Sequence, residues 1–128
     1  MALLAAAWLG SAGAQSCSGA QQPREVAELL FGHRIGTQGR VGEGAWRHFV
    51  AREITPRFPD GLTIIEAKGQ WRDPATRRIV REPASVVMIA LPGKPEDHDR
   101  LEEIARAYKK LFRQQSVGII VRPACVSF

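Results

Sequence analysis

Apolar positions along the chain follow two different periods, and these periods separate its predicted strands from its predicted helices. Four segments have the alternation of apolar and polar residues that is typical of strands, at about 25–35, 62–72, 79–91 and 117–126. Steps of three and four residues predict one helix from about Glu43 to just before Pro56, and a second helix that begins near Pro95. The predicted order is therefore β-α-β-β-α-β.

This order predicts the α+β class and, within it, a ferredoxin-like βαββαβ sandwich. The antiparallel four-stranded sheet of such a sandwich has the strand order 4-1-3-2, and both helices lie on one of its faces. Strands one, three and four carry apolar residues on both sides, so the face without helices is either covered by a partner or exposed. A second copy of the chain is one candidate cover, which would make the protein a homodimer.

The first residues of the chain predict export. An apolar run ends in small residues, and positions 12–14 match the A-x-A pattern of a signal-peptide cleavage site. We therefore divide the chain into a signal peptide at 1–14, a polar linker at 15–24 and a single α+β domain at 25–128. No Lys or Arg precedes the apolar run, so a short buried helix is the alternative. We find no second apolar run of membrane-span length, and we expect a periplasmic or secreted protein.

The two cysteines of the chain, Cys17 and Cys125, add to the prediction of export. Two cysteines in an exported chain favour one disulfide. In the predicted topology the end of strand four lies beside the beginning of strand one, so the linker can bring the two cysteines within bonding range. The competing hypothesis is a lipoprotein that is acylated at Cys17, which would exclude the bridge.

The net charge of the chain gives little information about its binding partners. The formal net charge is +5, which favours anionic ligands or surfaces. The basic residues are scattered along the sequence, however, and a solvated Arg-rich surface explains them equally well. We find no CxxC, no metal-ligand spacing among the histidines and no phosphate-binding loop, so we expect neither a metal nor a cofactor.

Three short blocks are specific enough to suggest a family: TPRFPDGLT at 55–63, GQWR at 69–72 and CVSF at 125–128. With them the chain resembles a family of small exported bacterial proteins that is defined as a domain of unknown function. The resemblance implies export and supports the predicted fold, but it implies no activity and identifies no catalytic residue. The chain departs from the family before the first helix, where Gly42 and Ala45 stand in place of a capping box.

One side of strand two concentrates polar residues that could bind a ligand. Glu66, Lys68, Gln70 and Arg72 alternate, so they share one side, which we assign to the open face of the sheet. Arg81 on strand three would lie nearby. Arg72 and Arg81 could then bind the carboxylate or phosphate of a small anionic ligand with two-pronged contacts, and Glu66 could act as a base. The alternative is a solvated face with cross-strand ion pairs.

The large aromatic residues of the chain are predicted to pack in the core. Trp71 points to the opposite side from Gln70, where core packing is the better interpretation and stacking on a ligand is the alternative. Trp46 and Tyr108 lie on the apolar stripes of the two helices. His33 and His48 have no carboxylate at a useful spacing, so structural or solvated positions are the better interpretation.

Two hypotheses on function follow, from different classes of protein. No complete catalytic set is visible, which favours a non-enzymatic exported module that binds a ligand or a partner. The alternative is a small enzyme whose cleft lies on the open sheet face at a homodimer interface. A third hypothesis, RNA binding, fits the charge but not the leader, and it lacks the required row of aromatic residues on the central strands.

Overall fold

The computed structural model describes residues 16–128, so the predicted signal peptide at 1–14 lies outside the described residues. The described residues form six strands and two α-helices: β1 (Gln22–Gly32), β2 (Arg34–Ile35), β3 (Gly39–Arg40), α1 (Glu43–Phe49), β4 (Thr63–Arg72), β5 (Ile79–Ala90), α2 (Asp97–Phe112) and β6 (Gly118–Val126). The four long strands and both helices correspond to the predicted elements, and the α+β class is confirmed.

The four long strands form one antiparallel sheet in the order β4-β5-β1-β6. These numbers differ from the predicted order 4-1-3-2. The prediction numbered only four strands, because the sequence did not predict β2 and β3. These two-residue strands pair with each other in a separate small sheet. Among the long strands alone, the neighbours in the sheet are those that the predicted order requires.

Both helices pack on the same face of the sheet. The helix-facing side of the central strands is fully buried at Ala27, Leu29 and Phe31 of β1 and at Val87 and Ile89 of β5. The ring of Phe31 lies 5.1 Å from that of Trp46 in α1 and 4.8 Å from that of Tyr108 in α2, measured between ring centroids. These contacts place the core between the sheet and the helices, as predicted for Trp46 and Tyr108.

The predicted first helix is two structures in sequence. An α-helical segment ends at Phe49, and a π-helical turn at Val50–Ile54 continues it. The N–H of Thr55 donates to the carbonyl of Val50, and the chain then turns at the corner before β4. Arg57 stabilises this corner by pairing with Glu53 at 2.9 Å and with Glu103 of α2 at 3.0 Å.

The first strand begins earlier in the chain than predicted. Strand β1 begins at Gln22 and ends at Gly32, so the last three residues of the predicted linker at 15–24 belong to the sheet. The pairing of Gln22 with Val126 of β6 explains the difference, because it extends the ladder to the end of the neighbouring strand.

A disulfide joins Cys17 to Cys125, as predicted, with a Cα–Cα distance of 5.5 Å. The bridge links the segment before β1 to the end of β6, and the two strands are antiparallel neighbours. The lipoprotein hypothesis requires a free Cys17, so the bridged form excludes it. Within residues 16–128, no helix has the length and apolar character needed to span a membrane.

Candidate functional site

The register of the hairpin β4–β5 corrects the predicted position of the polar cluster. Glu66 pairs directly with Ser85 and Gln70 pairs with Arg81, and direct partners across a ladder point to the same side. Ser85 is buried on the helix-facing side of the sheet, so Glu66, Gln70, Arg72 and Arg81 lie on that side and not on the open face. The alternation was predicted correctly, but the side was assigned wrongly.

The structure does not join these four residues into a site. All four side chains are exposed. Among the described residues, none of their side chains forms a hydrogen bond or an ion pair. Of the four, only Gln70 contributes to the cleft described next. Anion binding by Arg72 and Arg81 therefore stays a prediction.

A cleft of about 770 Å³ lies on the open face of the sheet. Its floor is formed by the open-face residues of β1 and β5, and the hairpin β4–β5, the β2–β3 turn and the loop between α2 and β6 surround it. Its apolar walls include Leu30, Trp71 and Val80. We call this feature the open-face cleft.

Trp71 is a wall of the open-face cleft and not a core residue, in contrast to the prediction. It pairs with Val80 across the ladder, which puts the indole on the side opposite to the helices. The side chain is 37% exposed, and its Nε1–H donates to Oε1 of Glu82 at 3.0 Å. The large aromatic surface suggested a core position, but the register of β4 with β5 turns this side chain to the face that the helices do not cover.

Glu82 is the polar centre of the open-face cleft. Its Oε2 accepts a hydrogen bond from the backbone N–H of Arg34 at 2.7 Å, and its Oε1 accepts one from Trp71. The carboxylate lies directly over Gly32, where a Cβ would be only 2.5 Å from Oε1. The absence of a side chain at Gly32 therefore makes room for the carboxylate, and two N–H groups fix its orientation.

The charged groups around the cleft differ in whether another described residue already forms a hydrogen bond with them. The guanidinium of Arg34 donates to the carbonyls of Gly36 and Thr37, and Oδ1 of Asp73 accepts from the N–H groups of the following turn. Arg78 and Arg113 also line the cleft, and neither guanidinium has a polar partner within residues 16–128. Within residues 16–128, the rim thus carries three basic residues without a polar partner, Lys68, Arg78 and Arg113, beside the fixed carboxylates of Glu82 and Asp73.

A buried polar chain lies on the other side of the sheet, beneath the cleft. Tyr108 donates to the carbonyl of Gly32 at 2.8 Å and lies 3.3 Å from Nδ1 of His33, while Nε2 of His33 lies 2.7 Å from Oγ of Ser85. Since the Tyr108 proton is used on the carbonyl, Nδ1 carries the proton of the imidazole and Nε2 accepts from Ser85. The chain is then fully satisfied with a neutral His33.

Burial explains why His33 stays neutral. Desolvation lowers the pKa of His33 below its ordinary value of 6.5; Arg40 lowers it further, and Glu82 opposes the shift. Burial has the opposite effect on the pKa of Tyr108, which it raises, and Glu82 raises this pKa by a smaller amount. The expectation that His33 is structural agrees with these contacts, although its partners are a hydroxyl and a phenol.

Glu82, Gly32 and Ser85 were not predicted from the sequence as members of these two groups. The alternation within β5 could have placed Glu82 on the same side as Val80, and the glycine in an otherwise apolar strand was a signal of close approach. The register between β1 and β5, which brings Gly32 opposite Ala84, is not readable from either strand alone. No group of three His, Cys, Asp or Glu side chains within residues 16–128 could hold a metal ion.

The protein is therefore a small disulfide-linked α+β protein with a cleft on its open sheet face. The chain belongs to the family described as "Protein of unknown function (DUF3574)", whose model matches residues 26–128. This match confirms the resemblance to a family of unknown function. A comparison with curated proteins gives no match.

Two solved structures have a similar fold. One is a phage SAM lyase in complex with S-methyl-5'-thioadenosine, with a TM-score of 0.64 and 13% identity over 89% of this chain and 95% of that chain. The other is a phage SAM lyase in the apo state, with a TM-score of 0.61 and 16% identity over 90% and 92% of the two chains. At these identities the likeness concerns the fold alone.

Proposed function

We propose that the protein is a non-enzymatic module that binds a small ligand or a partner, and that the open-face cleft is its binding site. The observation that carries this proposal is the carboxylate of Glu82, which is fixed by two N–H donors inside a cleft with apolar walls. A few oriented polar groups in a largely apolar concavity are typical of ligand sites. The volume of about 770 Å³ also lies in the usual range for such sites.

The apolar surface around the cleft supports the same proposal. Leu30, Ile65 and Ile120 lie on the open face and are 40%, 47% and 44% exposed. Together with Trp71 they form an apolar surface that no described residue covers. A surface of this kind in a folded protein is typical of a binding region.

A binding screen with a matched pair of variants tests the proposal. Glu82→Gln changes the fixed carboxylate in the cleft, whereas Glu66→Gln changes an exposed carboxylate on the other side of the sheet. We expect thermal stabilisation by any ligand found in the screen to be reduced in Glu82→Gln and retained in Glu66→Gln. The reverse result would move the site to the polar side of β4.

The polar side of β4 remains a second candidate position for an anionic ligand. Arg72 and Arg81 project from neighbouring positions of the hairpin on the same side, and a guanidinium can hold a carboxylate or phosphate with two hydrogen bonds. Arg72→Ala should then abolish stabilisation by inorganic phosphate, and Arg72→Lys should restore little of it, because a point charge does not replace the two-pronged contact. Unchanged stabilisation in Arg72→Ala would mean that these residues do not bind the anion.

The second candidate function is a small enzyme with its cleft at a homodimer interface. The similarity of the fold to a phage SAM lyase favours it, because that protein is an enzyme and was solved with S-methyl-5'-thioadenosine bound. Incubation with S-adenosylmethionine, followed by mass detection of S-methyl-5'-thioadenosine, tests this activity. The mass of the protein in solution tests the dimer, and a monomer without turnover would exclude this candidate.

We also propose that the protein is exported and that its fold is ferredoxin-like. The disulfide is consistent with an oxidising compartment outside the cytoplasm, and both helices lie on one face of a four-stranded antiparallel sheet. N-terminal sequencing of protein recovered from the periplasm or medium should begin at Gln15. An intact Met1 on a reduced cytoplasmic form would contradict export.

A further inference from the structure

The carboxylate of Glu82 retains the capacity to bind a positively charged group. A carboxylate has two oxygens with about four acceptor positions, and each oxygen of Glu82 receives a single hydrogen bond from an uncharged N–H group. No Lys or Arg side chain of the described chain forms an ion pair with it. Its charge is therefore oriented by the protein but not neutralised by it.

The opposite charge is available in the same cleft. Arg78 lies in the β4–β5 connection and Arg113 follows α2, so the two residues line the cleft from different parts of the chain. The backbone of Arg113 adopts a left-handed conformation at the end of α2, with φ of 52°. Arg34, in contrast, is held by two carbonyls of its own turn and is less able to serve a ligand.

The surface between these charges is apolar. Leu30, Val80 and the exposed part of Trp71 line the cleft beside Glu82. An indole offers a flat surface to a planar group, and its π face also attracts a cation. A ligand that contacts Glu82 would therefore also meet Trp71, since the two side chains are hydrogen-bonded to each other.

We propose that the open-face cleft recognises a zwitterionic small molecule, with its positive group at Glu82, its planar or apolar body against Trp71, and its negative group at Arg78 or Arg113. This proposal rests on the binding function proposed above and specifies the chemistry of the ligand. It also explains how a chain with an excess of positive charge would bind a molecule that carries a cation, because the rim attracts the anionic end.

A series of three indole compounds tests the proposal, because they share one ring and differ in charge. Tryptophan is a zwitterion, tryptamine is a cation and indole-3-propionate is an anion at neutral pH. Each is titrated at millimolar concentration into the isotopically labelled, disulfide-bonded chain, and amide and indole NMR signals are followed. We expect all shifts to centre on Trp71, Glu82 and Gly32, with tryptophan binding about five- to tenfold more tightly than either singly charged compound.

Two variants separate the roles of the charges. Glu82→Gln should remove the contribution of the ammonium group, so that tryptophan binds no better than indole-3-propionate. The double change Arg78→Gln and Arg113→Gln should have the converse effect and make tryptophan equal to tryptamine. Glu66→Gln serves as the control, because its carboxylate lies on the helix-facing side, and it should leave all three affinities unchanged.

The outcomes distinguish the ligand class from the site. If all three compounds shift the cleft signals with equal affinity, the zwitterion assignment is wrong and the cleft stands as a binding site. If none of them shifts the cleft signals, both the ligand class and the binding function assigned to the cleft are overturned. The unmodified chain gives this answer by itself, so the test does not depend on the folding of the variants.

Discussion

At the scale of single residues, the cleft depends on one position where the sheet has no side chain. Gly32 is the last residue of β1, and the carboxylate of Glu82 occupies the space in which its Cβ would lie. The neighbouring Gly69 differs, because a Cβ there would make ordinary contacts of 3.5 Å or more with Ala84 and Glu82. The two glycines therefore offer a matched comparison of close approach and open space.

Gly32→Ala should displace the Glu82 carboxylate and break its hydrogen bonds to Arg34 and Trp71. Because a carboxylate at the end of a flexible side chain can move away, we expect a modest loss of about 1–2 kcal/mol in the free energy of unfolding. The fluorescence of Trp71 should change as its N–H loses its acceptor. Gly69→Ala is the control and should be neutral or stabilising by about 0.5 kcal/mol; equal effects of the two changes would contradict this account.

His33 should make the stability of the protein depend on pH. Its folded-state pKa is lowered by burial below 6.5, so between these two pKa values the unfolded chain binds more protons than the folded one. Stability from this group is complete above pH 6.5 and is lost as the pH falls towards the lowered value, with a limiting slope of about 1.4 kcal/mol per pH unit.

His98 must be removed to measure this dependence cleanly. Its Nε2–H donates a hydrogen bond to Oε2 of Glu25 at 2.7 Å, and that contact raises the pKa of His98, so its effect on the pH dependence has the opposite sign. We therefore expect urea unfolding of His98→Gln to show decreasing stability from pH 7 to 5.5. The further change His33→Gln should flatten this profile, and a slope that survives it would assign the effect to other groups.

At the scale of elements, the long periodic segments were predictable and the short ones were not. Helix α2 has its buried residues Leu101, Ile104 and Tyr108 at helical spacing and was recognised from that pattern. Strands β2 and β3 have two residues each, which is too short for any period to be visible. The π-helical turn at 50–54 also leaves no distinct pattern, because its apolar residues continue the spacing of α1.

The candidate site was only partly predictable for a related reason. The alternation along β4 predicts that Gln70 and Trp71 point to opposite sides of the sheet. It does not predict which side the helices cover. That choice depends on the register with β5, where Ile64 lies opposite the buried Val87. The cleft itself is built from residues that are distant in sequence, such as Gly32 and Glu82, so no local pattern could indicate it.

The start of α1 is an element that a double change should improve. Gly42 occupies the N-cap in an extended conformation and makes no side-chain cap hydrogen bond. Gly42→Ser together with Ala45→Glu would install a capping box, and we expect a gain of about 0.5–1 kcal/mol in the free energy of unfolding. Chemical denaturation measures it, with Ala45→Glu alone as the control. No gain from the double change over this control would show that the cap does not limit the helix.

At the scale of the whole molecule, the disulfide closes almost the entire domain into one covalent loop. Cys17 and Cys125 are 108 positions apart, and the bridge spans the two neighbouring strands that carry the ends of the domain. A cross-link over so long a loop restricts the unfolded chain strongly. The fold thus receives stabilisation that does not depend on any contact in the core.

Replacing both cysteines by serine should therefore destabilise the protein substantially. The chain-entropy model gives at most about 4–5 kcal/mol for a loop of this length. Denaturation of the double serine variant beside the oxidised wild type measures the difference, and the wild type in reducing agent should match the variant. A loss below about 1 kcal/mol would mean that residual structure in the unfolded chain already holds these ends together.

The bridge also determines how the protein would respond to a mechanical load. Tension applied between the two ends of the chain passes from Cys17 through the sulfur atoms to Cys125 and leaves the 107 residues between them unstretched. In a pulling experiment the oxidised protein should extend only by the short segments outside the bridge, whereas the reduced protein should lengthen by the whole domain as β1 and β6 separate. The folded shape of the open-face cleft would consequently be insulated from any force transmitted along the backbone.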